Sequence, residues 1–315
     1  MTHSDLEAAF VAFMLAEFGS APEQIAPGTS QRFSTNGRRG DTAGAARMFA
    51  DGLGGICTDF RQGVTRIWTA IPRGHMTRVQ RFDLDRQVRV AKAERDLLQQ
   101  KEWMANKSFI ERCLSECRAI SEGDPVMRYF QRRGLGWSMP SCLRLHPQLG
   151  YFDDKFEDSF PAMIAPLVTP HGITVALHRT YLNHSGGKAM VTSPKKLTRA
   201  AGRLDGTCIP LRFPEAGTLG IAEGIETAQA AYLRSGVPTV AAYCASNLGK
   251  FVWPASVRNL VIFADNDKVG REAARALALR VRKANLAVEI CIPPTAGEDW
   301  CDVWMREREL GKEGM

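Results

Sequence analysis

Residues 261–274 read VIFADNDKVGREAA: a short apolar run, two aspartates one residue apart at Asp265 and Asp267, then Lys268 and Gly270 at the start of a helical pattern. An apolar run of this length bounded by turn residues is a buried strand. Two carboxylates side by side at its end repel each other, so the arrangement is costly unless a cation lies between them. The plainer alternative is that Asp267 caps the helix expected to start near Val269. Both readings stay open on this stretch alone.

Working outward, strand and helix alternate from Gly217 onward: TLGIAEG, VPTVAAY, NLVIFAD and LAVEICIPP read as strands, and IETAQAAYLRSG and VGREAARALALRVRKAN as helices. That alternation predicts a largely parallel sheet with helices on its faces. Ligands of such sheets bind beyond the carboxyl ends of the strands. Acids fall there three times, as Glu223 before Gly224, as Asp265 and Asp267, and as Glu298, Asp299 and Asp302 in GEDWCD. Carboxylates converging from three strand ends call for a hard divalent cation, and Mg²⁺ takes one or two of them while leaving positions for substrate phosphates. Gly224 and Gly270 are expected to let the backbone approach that ligand closely.

The remainder of the chain has a different texture. An amphipathic helix is expected over 6–18, followed by a Gly-, Ser- and Thr-rich stretch and a small β-rich unit to about Ala70. Residues 78–121 lack Pro and Gly and are dense in charge, which predicts one long helix or two consecutive ones. Asp124-Pro125 starts another helix that Gly134 ends, and residues 140–213 read as strands and turns, with a hairpin at Pro170-His171-Gly172. The eight cysteines are scattered without C-x2-C spacing, which predicts reduced, mostly buried thiols rather than a zinc ribbon.

At 315 residues the chain is long enough for two ordinary domains and a real core. Its formal charge of +7 leans weakly towards a polyanionic partner. No stretch approaches the roughly eighteen apolar residues of a membrane span, and the acidic start has no basic region before its apolar part. A soluble, cytoplasmic protein with no membrane partner is expected.

The sequence AEG before a helix, D-x-D-x-x-G after an apolar strand and a later acidic turn resemble the Toprim domain shared by bacterial-type primases, topoisomerases and some nucleases. The resemblance implies a Rossmann-like, mainly parallel C-terminal domain with a Mg²⁺-dependent phosphoryl-transfer site, Mn²⁺ being the alternative ion. Carried over by position, Glu223 matches the family glutamate, Asp265 and Asp267 the D-x-D, and Gly270 its glycine. Asp299 is taken as the further metal acid, with Asp302 next. The sequence departs from the Glu-Gly-x-x-Asp of many primases, having Thr227 at the fifth position and Glu226 one place earlier. DKVGREAA is particularly similar to bacterial-type primases, which tend to have D-x-D-[RK]-x-G-x-x-A-A there. Upstream, FPAMIAPLVTPHGITVALHRTYLNHSGGKAMVTSPKK is similar to the basic segment that handles triphosphate and template in those enzymes. By that likeness Arg179, Lys188, Lys195, Lys196 and Lys268 are candidate contacts to nucleotide or nucleic acid. DPVMRYFQRRGL and SCLRLHPQLGYF resemble the region that precedes Toprim in plasmid- and phage-encoded primases, and RFSTNGRRGDTAG with DFRQGVTRIWTA resembles a fragment near the start of that group.

The expected class is α/β and α+β. A small α/β-rich unit over 1–76, a helical segment over 77–123 and an α+β basic subdomain over 124–213 precede the Toprim domain at 214–315. The implied activity is a DNA primase acting on single-stranded DNA template with NTPs in plasmid or phage replication, alongside a replicative helicase or replication protein. Neither a zinc ribbon nor a G-x-x-x-x-G-K-[ST] loop occurs in the sequence, so template selection and helicase action fall to the first hundred residues or to partners. The alternatives are a Mg²⁺-dependent Toprim nuclease and a catalytically weak single-strand-binding accessory. A topoisomerase fits less well, because it needs a nucleophilic tyrosine on a large separate domain.

Overall fold

The computed structural model of the protein describes residues 2–37, 41–60, 63–153 and 156–313. Residues 38–40 and 61–62, parts of the RFSTNGRRGDTAG and DFRQGVTRIWTA fragments, lie outside them. The chain divides into two compact units, Met1–Lys101 and Glu102–Met315.

In the first unit, α1 (His3–Phe18) starts earlier than the apolar spacing suggests, because Thr2 and Asp5 form a reciprocal capping box. Strands β1 (Gln31–Phe33), β2 (Gly44–Met48), β3 (Gly54–Asp59) and β4 (Val64–Thr69) form an antiparallel sheet in that order. Phe10 and Met14 of α1 pack with Met48, Cys57 and Trp68 of the sheet. Helix α2 (Arg78–Ser115) is a single 38-residue helix, opened by a Thr77–Gln80 capping box. Its sparse apolar positions Leu84, Val88 and Ala91 fall at i, i+4 and i+7, and they form one buried stripe with Phe49, Ile56 and Met76.

In the second unit, α3 (Pro125–Gln131) begins at Pro125 and the chain leaves it through Gly134, at φ +67°. Strands β5 (Arg144–Asp153), β6 (Phe156–Val168), β7 (Thr174–Tyr181) and β8 (Lys195–Leu197) make a second antiparallel sheet in sequence order. The β6–β7 turn passes through Gly172 at φ +77°, in the left-handed region that Gly adopts without strain. One face of this sheet packs Leu149, Tyr151, Leu177 and Tyr181 with Ile110 and Cys113 from the end of α2.

The C-terminal part runs β9 (Thr218–Ala222), α4 (Ile225–Ser235), β10 (Thr239–Ala241), α5 (Ala245–Leu248), β11 (Asn259–Phe263), α6 (Lys268–Lys283), β12 (Ala287–Cys291) and α7 (Trp300–Glu313). Its sheet is fully parallel, in the order β10-β9-β11-β12. The central strands are buried on both faces, which explains why they read as continuous apolar runs. Ala274, Leu277, Ala278 and Val281 of α6 cover one face with Leu248 and Phe251. The other face packs with Ala228 and Ala231 of α4 and Trp300 of α7, in the same core as Tyr129, Phe130, Leu145 and Met163. The antiparallel and parallel sheets of this unit therefore share one core, and the mixed α/β and α+β class holds. Strand order reverses between β9 and β11, so the crevice of a doubly wound sheet opens at their carboxyl ends. Among the described residues no helix is long and apolar enough to cross a membrane.

Candidate active site

Ala222 and Phe263 are paired at the ends of β9 and β11, so Glu223 and Asp265 leave the sheet at neighbouring points. The acidic turn after β12 is tied to them through Asn266. Its N–H donates to Glu298 O at 2.9 Å, its carbonyl accepts from Gly297 N at 2.8 Å, and its side chain bonds Pro293 O and Arg271. That brings Asp299 in. Glu223, Asp265, Asp299 and Asp302 line one cavity of about 700 Å³. Glu298 is turned towards α7, where it pairs with Arg306.

The carboxylates of this cavity feel one another. Burial pushes Asp265 up to about 7, helped by Glu223, Asp299, Asp267 and Asp302. Burial likewise raises Glu223, against a hydrogen bond from the Ala245 N–H, and raises Asp299. Oδ1 of Asp265 is buried without a hydrogen-bond partner. An orphaned buried oxygen amid like charges is a destabilised arrangement, and an all-oxygen donor set suits a hard cation.

Two of the acids also cap helices. Asp267 Oδ1 accepts from Gly270 N at 2.6 Å, so the capping reading of D-N-D is realised in α6. Asp299 Oδ1 accepts from Cys301 N and Asp302 N at the start of α7, while Thr227 Oγ1 donates to Asp299 Oδ2 at 3.3 Å. Among the described residues no three His, Cys, Asp or Glu side chains are arranged to hold a metal ion together. The four expected metal acids thus do not form a ready-made cage. Glu223 and Asp265 fit the one or two carboxylates that a largely hydrated Mg²⁺ requires, with Asp299 beside them and Asp267 contributing charge.

Gly270 makes a close approach to Asp265: a Cβ there would lie 2.8 Å from the Asp265 carbonyl oxygen. Gly224 caps α4 and lines the cavity, and an added Cβ would meet Thr227 Oγ1 tightly, at 3.3 Å.

The basic candidates separate. Lys188 and Lys195 line the cavity, joined by Arg132 and Arg133, which the sequence did not single out. Lys195 sits opposite Thr180, whereas Arg179 and Lys196 are the next pair along the ladder. Side chains alternate across a strand, and these two accordingly face the other side. Arg179 donates to Leu197 O and Tyr181 OH, and Lys196 lies over the Tyr151 ring and donates to Phe152 O. Lys268 opens α6, exposed and outside the cavity lining. Of the histidines, His146 is buried against Glu116, while His178 lines the cavity with Nδ1 unpartnered. All eight cysteines are free. Thr227, the departure from Glu-Gly-x-x-Asp, also lines the site, and so do Tyr129 and Tyr243, which gave no signal in sequence. Tyr129 lies in an ordinary helical pattern, and the left-handed backbone of Tyr243, at φ +61°, is not readable from residue type.

Residues 218–309 match the family model of the Toprim domain. These residues are a Toprim domain. Glu223, Asp265 and the acidic turn before α7 all fall within the matched residues. Residues 104–208 match a domain of unknown function, DUF7146. No curated protein matches the chain. The Toprim-containing chain is similar in structure to a DNA primase domain from Pseudomonas aeruginosa, at 16% identity and TM-score 0.34, covering 51% of this chain and 52% of that one. It is similar to the primase fragment of the bacteriophage T7 primase-helicase protein, at 13% identity and TM-score 0.37, covering 59% and 68%. It is also similar to the Aquifex aeolicus primase with its zinc-binding and RNA polymerase domains, at 14% identity and TM-score 0.40, covering 100% and 84%. The chain spans about half the length of the Pseudomonas aeruginosa structure.

Proposed function

We propose that the protein is a DNA primase, a nucleotidyltransferase that joins NTPs on a single-stranded DNA template. The observation that carries this reading is one cavity lined both by the strand-end carboxylates and by Lys188, Lys195, Arg132 and Arg133. Phosphoryl transfer needs positioning and charge neutralisation rather than protein covalent chemistry, so acids and cations sharing one space are a sufficient set. In this reading Glu223 and Asp265, with Asp299 beside them, hold Mg²⁺ or Mn²⁺, and Asp267 adds negative charge while fixing the loop. Bound there, the ion would neutralise phosphate charge and polarise the attacking hydroxyl. The cationic wall binds the triphosphate and orients it towards the acids. The four-part division at 76, 123 and 213 belongs to the same reading, as do a role in plasmid or phage replication, a helicase or replication-protein partner, and a cytoplasmic location.

The test is primer synthesis by purified protein from single-stranded template, NTPs and Mg²⁺. Labelled oligonucleotides that disappear with Asp265→Asn are expected. Degradation of the template without NTPs would identify a Toprim nuclease instead. Salt-sensitive binding of single strands that survives Asp265→Asn, without turnover, would identify an accessory protein.

A further inference from the structure

Glu226 lines the same cavity as the strand-end acids but is bound quite differently. Its Oε1 accepts from the Tyr129 hydroxyl, and Lys195 Nζ lies 3.0 Å from Oε1 and donates to Oε2 at 3.1 Å. Burial pushes the Glu226 carboxyl up, but the Lys195 charge and the Tyr129 and Lys195 hydrogen bonds outweigh it and hold it well below the usual range. That is opposite to Glu223, Asp265 and Asp299. Both oxygens are thus already satisfied by cation and hydroxyl, which leaves little donor capacity for a metal.

The partners of Glu226 form a chain along the cavity wall. Tyr129 is buried, the Arg133 guanidinium stacks 3.9 Å from its ring centroid, and Arg133 Nη1 donates to Tyr129 O at 3.0 Å. Lys195 stands at the start of the short strand β8, about 40% exposed at its side chain, on a flexible four-carbon stem. An ammonium has three donors. With Glu226 as its partner, Lys195 still lines the cavity that Lys188 and the acids share.

We infer that Glu226 is a positioning residue: through Lys195, and through Tyr129 and Arg133, it holds the cationic wall that receives the triphosphate of the entering nucleotide, and it is not a metal ligand. This role rests on the nucleotide site of the primase reading. It also accounts for the sequence departure after Gly224. With Thr227 in the fifth position bonding Asp299, the acid one place earlier on α4 faces the cations instead.

The test measures affinity for a fluorescent ATP analogue without template, KM and kcat for NTP in primer synthesis, and the Mg²⁺ midpoint. The proteins are the parent, Glu226→Gln, Lys195→Met, the double variant and Asp265→Asn. Glu226→Gln and Lys195→Met are each expected to weaken nucleotide binding and raise KM about tenfold, with kcat and the Mg²⁺ midpoint within about twofold. The double variant should lose clearly less than the two single losses combined, since much of the glutamate's effect passes through the lysine. Additive losses, or a Mg²⁺ midpoint that moves as it does in Asp265→Asn, would overturn the inference. Should Glu226→Gln fail to fold, Tyr129→Phe keeps the ring in the core and removes only the donor. It is expected to weaken nucleotide binding about two- to fivefold, and unchanged affinity overturns the role. A parent that binds the analogue but makes no primer sinks the primase reading and leaves the positioning role standing. A parent that primes while Glu226→Gln binds as tightly as the parent sinks the positioning role alone.

Discussion

Gly270 packs its bare α-carbon against the backbone of Asp265, so that a methyl group at position 270 would meet the Asp265 carbonyl oxygen at 2.8 Å and its Cβ at 3.2 Å. The glycine of D-x-D-x-x-G thus seats the first aspartate. Its own N–H is taken by Asp267, so one residue fixes both carboxylates. Gly270→Ala is expected to displace the loop and cost about 1–3 kcal/mol of stability, the usual range for overpacking. Primer synthesis should fall further than stability does. Thermal melts beside primer assays check this, and a fully active Gly270→Ala protein would refute it.

Asp265→Asn removes one charge from a cluster that repels itself. The substitution should leave the melting temperature unchanged or raise it by a few degrees, while cutting primer synthesis at least about a hundredfold. A variant that loses stability and activity together would show that the carboxylate holds the fold rather than the chemistry.

Lys195 and Arg179 lie on opposite faces of one sheet, and their variants should separate accordingly. Lys195→Met is expected to raise KM for NTP, and also to lower the melting temperature, because the buried Glu226 carboxylate loses its cation. Arg179→Met, which loses bonds to Leu197 O and Tyr181 OH, should cost about 1–2 kcal/mol of stability and leave KM unaltered. An Arg179 variant with normal stability and poor NTP affinity would contradict this placement.

His178 carries a pH dependence. Burial, aided by Lys195 and Arg179 and opposed by Glu226, lowers it from its ordinary value near 6.5 to about 4. Above pH 6.5 both folded and unfolded chains leave it neutral, and its contribution does not vary. As pH falls from 6.5 towards 4 the unfolded chain takes up a proton that the folded chain refuses, so stability declines by about 3 kcal/mol over that window. His178→Gln should flatten this part of the curve of urea midpoint against pH. An unchanged slope would mean that the imidazole gains its proton without penalty in the folded protein.

Much of the C-terminal sheet was legible because parallel strands buried on both faces must be apolar throughout, and TLGIA and NLVIF are. The strand-end acids were legible for the same reason, since Glu223 and Asp265 interrupt those runs where the sheet stops. By contrast, only the structure showed the Thr2–Asp5 and Thr77–Gln80 capping boxes, since apolar spacing alone starts α1 at residue 6. Three-residue β1 gave no periodic signal, because it has too few positions to show one. Tyr129 and Arg133 lie in an unremarkable helical pattern whose neighbours across the core are distant in sequence.

Lys195 and Lys196 mark the boundary between the two kinds of information. That adjacent residues of a strand point to opposite faces is a property of the backbone, and the sequence by itself determined it, along with the apolar strands and the acids at their ends. Which of the two lysines meets those acids depended on which face of the antiparallel sheet packs against the parallel one. Only the tertiary structure decided that, because burying a shared core turns one face inward and leaves the other to Tyr151 and Tyr181.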